Sequence, residues 1–215
     1  DPYYEYVTML LTGDGTNGAQ NNTFVDSSTN AFSITRNGNT TQGSFSPYGS
    51  LWSNYFNGSN SELTCTGSAL SGQFTMEGWI YRTVDTGDYE QFAVTTRNAG
   101  WAFAVSGSTD KLAWYTDSTG SWVEGTTTIS LNTWYHVAVT RSGSTIRLFV
   151  NGNLETSYSN SANFTDGPIW MFRRYTAQGG NYFPFVGYIN DFRVTNGYAR
   201  YVQPFTPPTQ ADQLY

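Results

Sequence analysis

The stretch Trp134-Tyr135-His136-Val137-Ala138-Val139-Thr140-Arg141, continued by Ile146-Arg147-Leu148-Phe149-Val150-Asn151-Gly152-Asn153-Leu154, decides the fold. Apolar side chains alternate along both runs, the period of strands with one face buried. Asn151-Gly152 tolerates the positive φ angles of a tight type I′ turn, so the second run is expected to reverse there as a hairpin. His136 falls on the Trp134/His136/Ala138 face of its strand and reads as a packing residue.

Working outward, further strands are expected at Val7 to Leu11, Phe32 to Thr35, Leu51 to Phe56, Phe74 to Arg82, Gln91 to Thr96, Trp101 to Val105 and Leu112 to Tyr115. Gly/Ser/Asn clusters separate them at short intervals, the spacing of a sandwich or jelly roll. No segment keeps helical periodicity over three turns, and only Tyr198 to Tyr201 is expected to make a helical turn. Asp1 to Tyr6 reads as a linker or extension and residues 7–203 as one domain. Pro204, Pro207 and Pro208 open an extended tail at 204–215, because proline neither feeds a ladder nor continues a helix.

Composition agrees. The 215 residues are enough for one large sandwich with its own core. Sixteen Tyr, 14 Phe and 7 Trp suit pleated surfaces, while 22 Gly suit turns. The net charge of −6, with ten Lys and Arg thinly spread, offers no basic stripe for a phosphate backbone, so nucleic acid is excluded as a partner. No apolar run approaches the length of a membrane-spanning helix. One cysteine, Cys65, and one histidine exclude a disulfide framework and a Cys/His zinc site. The sequons at Asn21, Asn39, Asn57 and Asn163 are expected by chance in a chain so rich in Asn and Thr.

Several blocks, in order, resemble a laminin-G-like (concanavalin A-like) jelly-roll domain. Leu10 to Gly18 and Thr23 to Ser28 resemble its opening strand and loop, and Tyr55-Phe56-Asn57-Gly58-Ser59 its Phe-(Asp/Asn)-Gly turn. Phe74 to Tyr81, Trp134 to Leu154 and Gly187 to Val194 resemble its central and last strands. The implied fold is all-β, a two-sheet antiparallel sandwich of jelly-roll topology. The ending Gly197-Tyr198-Ala199-Arg200-Tyr201, with Phe205-Thr206-Pro207-Pro208-Thr209, resembles a subgroup abundant in structural proteins of marine tailed bacteriophages, including cyanophages. That resemblance implies a non-catalytic module of a fibre, tail or capsid-surface protein, on the virion surface, attaching to host-surface carbohydrate beside other virion proteins. It admits homo-oligomers, although no fibre repeat specifies one. The alternatives are a glycoside hydrolase of the same superfamily and a purely structural module without ligand.

The hydrolase signature is Glu-x-Asp-x-Glu, and retaining hydrolysis needs two carboxylates about 5–5.5 Å apart. The nearest approach is Asp88-Tyr89-Glu90, with Thr86 where the first Glu belongs, so catalysis is not expected. Sugar recognition needs aromatic faces with a few convergent polar groups. Trp114, Tyr115 and Trp122 supply such groups, and the preferred region is Trp170, Arg173, Arg174, Tyr175 and Tyr182 around a Gly-rich loop. The resemblance also implies a structural Ca²⁺. Its expected ligands are Asp191 and Asp14, with Thr12, Asn57 and Gly58 contributing from the opening loop and the Asn-Gly turn, an oxygen set suited to a hard cation. Thr12 stands where the family often has His, and Asn190 where it often has Asp.

Overall fold

The computed structural model describes residues 1–13, 23–49, 52–58, 61–67, 69–95, 100–164, 168–171 and 185–210. After a 3₁₀ turn at Tyr4–Tyr6 come β1 (Val7–Leu11), β2 (Ile34–Asn37), β3 (Thr41–Gly43), β4 (Ser53–Asn57), β5 (Glu62–Thr66), β6 (Phe74–Arg82) and β7 (Glu90–Val94). The second half contributes β8 (Trp101–Val105), β9 (Lys111–Thr116), β10 (Ser121–Thr128), β11 (Trp134–Ser142), β12 (Thr145–Val150), β13 (Asn153–Ser159), β14 (Pro168–Met171) and β15 (Val186–Asn196). They form two antiparallel sheets, so the chain is an all-β sandwich. The first runs β13-β12-β11-β6-β15-β4-β3, with β1 also on β15; the second runs β10-β9-β8-β7-β14-β5-β2.

The deciding stretch folds as its pattern dictates. Val137 to Ser142 pair with Val150 to Thr145, and the chain reverses again at Asn151 (φ 49°) and Gly152 (φ 77°). Inward positions of the first sheet carry Phe74, Met76, Ile80, Val137, Val139 and Leu148, and those of the second carry Phe92, Trp101, Phe103, Leu112 and Trp114. Trp114 is wholly buried, stacked on Trp101 at 5.5 Å and met edge-on by Phe103 and Phe164. Its place in the core removes it from the candidate binding residues.

Strand β15 is the spine of the first sheet. Along one edge it pairs first with β4 (Ile189 opposite Asn54) and then with β1 (Phe192 opposite Leu11). Between these partners its register with β6 slips from Asn190–Trp79 to Arg193–Glu77. Asp191 occupies the slip at φ 48°, a left-handed conformation that short polar side chains tolerate best. Gly78 lies across from it, where a Cβ would come within 3.3 Å of the Phe192 Cα.

Two expectations change. Tyr198 to Tyr201 makes no helical turn, because its backbone groups are taken by side chains of the sheet. The Arg200 N–H donates to Thr75 Oγ1 (2.9 Å), and the Tyr201 carbonyl accepts from Thr140 Oγ1 (2.7 Å). The opening segment, read as a linker, docks on the sheet: Tyr3 stacks on Tyr198 at 4.0 Å, and the Asp1 carboxylate accepts from Arg193 and Arg200.

The sandwich also encloses charge. Arg82 donates to both oxygens of Glu90 (2.8 and 3.0 Å), and neither side chain is exposed. Removing one partner of a buried pair costs about 3–5 kcal/mol, and because Arg82 also donates to Asp110 (2.8 Å) and the Ile129 carbonyl (2.6 Å) the lower end applies here. Glu90→Ala is expected to lower the unfolding free energy by about that amount in urea denaturation; a loss under about 1 kcal/mol would mean the pair behaves as a surface contact.

Candidate functional site

The outward positions of the first sheet carry aromatics where a solvated face would carry polar groups. Trp79 and Tyr81 of β6, Trp134 of β11 and Tyr188 of β15 all face away from the core. The loop after β3 folds back over them. Phe45 packs edge-on against Tyr81 and Tyr188 and tilted against Trp134 (4.8, 4.9 and 5.4 Å), and Tyr48 meets Trp79 edge-on at 6.2 Å.

The chain after β15 crosses the same face farther along. Tyr201 and Phe205 stack at 3.5 Å, and the Phe205 N–H donates to the Gly152 carbonyl (3.0 Å). Gly152 has no alternative here, since a Cβ would lie 1.9 Å from the Phe205 carbonyl oxygen. Between loop and tail opens a groove of about 460 Å³, with Trp79 and Trp134 against Pro47 and Tyr48 on one side and Thr206 to Thr209 on the other. Asn151 completes the lining, its side-chain oxygen accepting from the His136 N–H at 2.9 Å. The indole N–H groups of Trp79 and Trp134 are buried without a hydrogen-bond partner among the described residues.

Beneath the tail lies a buried charge cluster. Glu77 accepts from Arg193 (2.8 and 3.0 Å) and from the Tyr201 hydroxyl (2.6 Å), with His136 Nε2 at 3.2 Å. Burial alone would raise its pKa. The Arg193 charge, the His136 contact and the Tyr201 hydroxyl outweigh that and hold the carboxyl well below the usual range. His136 is thus more than packing: it joins this cluster and meets Phe205 and Trp79 edge-on. Burial, with the Asp26 charge adding, pushes the Cys65 thiol up to about 12, so it is no nucleophile.

The expected binding residues fare unevenly. Arg173, Arg174, Tyr175 and Tyr182 lie outside the described residues, and of Trp170 only the backbone, in β14, is described. Tyr115 and Trp122 face outward from the second sheet, where Trp122 stacks on Tyr89 at 4.0 Å. Trp79, Trp134 and Tyr48 were missed; the available signal was their out-of-core phase on strands whose other face is apolar.

The expected metal ligands are not all brought together. Asp14 lies outside the described residues. Asn57 pairs with Val186, five residues before Asp191 on β15, hence about 16 Å away at 3.3 Å per residue. Asn57 and Gly58 are therefore corrected out of a common site with Asp191, and the Asn57 side chain accepts from Ser61 instead. Asp191 Oδ2 accepts from the Tyr48 hydroxyl at 3.0 Å. Near it, the Asn190 amide donates to the carbonyls of Thr12 (2.8 Å) and Trp52 (2.5 Å). The side-chain oxygens of Asn190 and Asn54 are buried without partners among the described residues. No cluster of three His, Cys, Asp or Glu forms among the described residues.

The chain's likeness to known proteins is at the level of fold. A family model described as the concanavalin A-like lectin/glucanases superfamily matches residues 56–200. Domain 4 of AbnA, a GH43 extracellular arabinanase from Geobacillus stearothermophilus solved in complex with arabinotriose, superposes with a TM-score of 0.67 at 17% identity, covering 90% of this chain and 93% of that one. A mutant Trypanosoma rangeli sialidase displaying trans-sialidase activity gives 0.59 at 11% identity, covering 89% of this chain but only 31% of that one. No match was found among curated proteins.

The charge cluster fixes an acid response. A carboxyl whose folded pKa is lowered contributes stability that is fully present above its unfolded value of about 4.3 and is lost as pH falls through that value toward the folded one. Unfolding free energy is expected to drop steadily below about pH 4, and Glu77→Gln to flatten that drop. Identical pH profiles for the two proteins would refute the assignment.

Proposed function

The chain belongs to the concanavalin A-like lectin/glucanases superfamily, and from that premise we propose that it is a non-catalytic carbohydrate-binding module acting through the groove over Trp79 and Trp134. The observation that carries this reading is an aromatic groove on a sheet face with hydroxyl and amide groups at its edge. Sugar rings present apolar C–H faces to aromatic surfaces and hydroxyls to such edges, and the volume suits a small ligand. The arabinotriose in the superposed arabinanase domain is consistent with it.

The non-catalytic part rests on the carboxylates. None is among the described residues that line the groove. Glu90, half of the nearest candidate pair, is enclosed by Arg82 and the Thr86 N–H, while Asp88 stays in the preceding loop. Retaining hydrolysis would need both at one substrate bond. We further propose display on a virion surface, in a fibre, tail or capsid-surface protein that attaches to host glycan. Its support is the phage-like ending, whose Phe205 anchors the tail at Gly152 and whose residues 206–209 form one wall of the groove.

Affinity electrophoresis against plant, algal and bacterial-envelope polysaccharides tests the reading. Retardation is expected on at least one polysaccharide without release of reducing ends, and Trp134→Ala is expected to weaken it by about tenfold or more, the effect of losing a central aromatic. Reducing ends released by the wild type would favour the hydrolase instead.

A structural Ca²⁺ remains part of the proposal. Asp191, the Thr12 carbonyl and the unpartnered side-chain oxygens of Asn190 and Asn54 are the oxygens that would hold it, and bound there it would brace the bulge of β15. A ligand at a hundred times its dissociation constant adds about 2.7 kcal/mol. EDTA is then expected to lower the melting temperature by about 5–10 °C, with recovery in excess Ca²⁺ and no response in Asp191→Ala. An unchanged melt with no metal by elemental analysis would retire the ion.

A further inference from the structure

We infer that the groove selects uncharged sugars and discriminates against uronate, sialylated and amino-sugar chains; this rests on the carbohydrate reading above and deepens it. The argument is one of charge. Tryptophan, tyrosine, proline, threonine and asparagine line the groove, and no carboxylate, lysine, arginine or histidine is among its described lining residues. An anionic sugar entering it would give up water and meet no cation among the described lining residues, a cost that burial without a partner does not return.

The basic groups described on this face are already committed. Arg193 holds Glu77 and Asp1, Arg200 holds Asp1 and Thr195 Oγ1, and His136 lies buried against Glu77. A cationic sugar fares little better. Asp191, a carboxylate joined to the lining, accepts a hydrogen bond from the Tyr48 hydroxyl and is itself buried. Two aromatic faces remain to attract a cation, and with a net charge of −6 that attraction is the competing force to be measured.

What the groove does offer is apolar surface and donors. Trp79, Trp134, Pro47, Pro207 and Pro208 present ring and C–H surface. The two indole N–H groups are buried and closed to a ligand, so its hydrogen bonds fall to the hydroxyl and amide groups of lining residues such as Thr206, Thr209 and Asn151. An oxygen-rich, uncharged ring with an apolar face matches both requirements.

The test is titration calorimetry with six-unit oligosaccharides in matched classes: uncharged glucose, xylose, mannose, arabinose and N-acetylglucosamine chains, a galacturonate chain, and the deacetylated glucosamine chain. Binding is expected among the uncharged chains only. Their affinity is expected to change less than about twofold between about 20 and about 500 mM NaCl, since screening acts on charge pairs. It is also expected to fall about tenfold or more in Trp134→Ala while Trp134→Phe retains most of it. A galacturonate or glucosamine chain binding more tightly than its uncharged counterpart overturns the inference and leaves carbohydrate recognition standing. So does uncharged-chain binding that is indifferent to both Trp134→Ala and Trp79→Ala in variants that melt as the wild type does. No binding by any chain removes the carbohydrate reading and this inference with it.

Discussion

One buried carboxylate organises the outer face of the first sheet. Glu77 stands at the centre of β6, and its partners come from β15 (Arg193), β11 (His136) and the tail (Tyr201). A lone carboxylate there would be expensive to desolvate, and removing any one partner strands charge on the others. Because Tyr201 is one of those partners, the knot that neutralises Glu77 also lays the tail across the sheet. Phe205 then reaches Gly152, and the residues after it become a wall of the groove. Site and charge cluster are two sides of one arrangement.

The same linkage explains why so polar a set sits on a face otherwise built of rings. The aromatics shield the ion pairs from water: His136 lies between Trp79 and Phe205. The ion pairs in turn hold those aromatics in a fixed pose. Rigid rings lose little entropy on meeting a ligand, which is an advantage for a surface that relies on shape and not on charge.

Much of the fold was legible because the central strands obey two simple rules. Alternation over Val137 to Arg141 and Ile146 to Val150 fixed their buried faces, and Asn151-Gly152 fixed the reversal. Edge elements escaped. Strand β10, Ser121 to Thr128, buries little beyond Gly125 and so has no apolar period; the interior strand β14 escaped as well, being four residues long and beginning at Pro168. The site was less legible still. Tyr48, Trp79, Trp134, Asn151 and Pro207 lie far apart in the sequence, and each alone reads as core, turn or tail. Only the phase of Trp79 and Trp134 relative to the buried positions marks them as outward. Asn57 and Gly58 dropped out of the expected metal set for a related reason: the register of β15 decides which residues meet Asp191, and register is set jointly by the patterns of paired strands and the turns between them, not by one residue's type.

Gly152 carries a consequence of its own. The tail can seat only because that position has no side chain, and the groove exists only while the tail is seated. Apparent affinity is then the intrinsic affinity multiplied by the fraction of molecules with the tail down. Any substitution along residues 198–205 that shifts this fraction tunes the strength of recognition without touching a residue that meets the ligand. The module's sensitivity can therefore be graded from a distance, with the aromatic floor left intact.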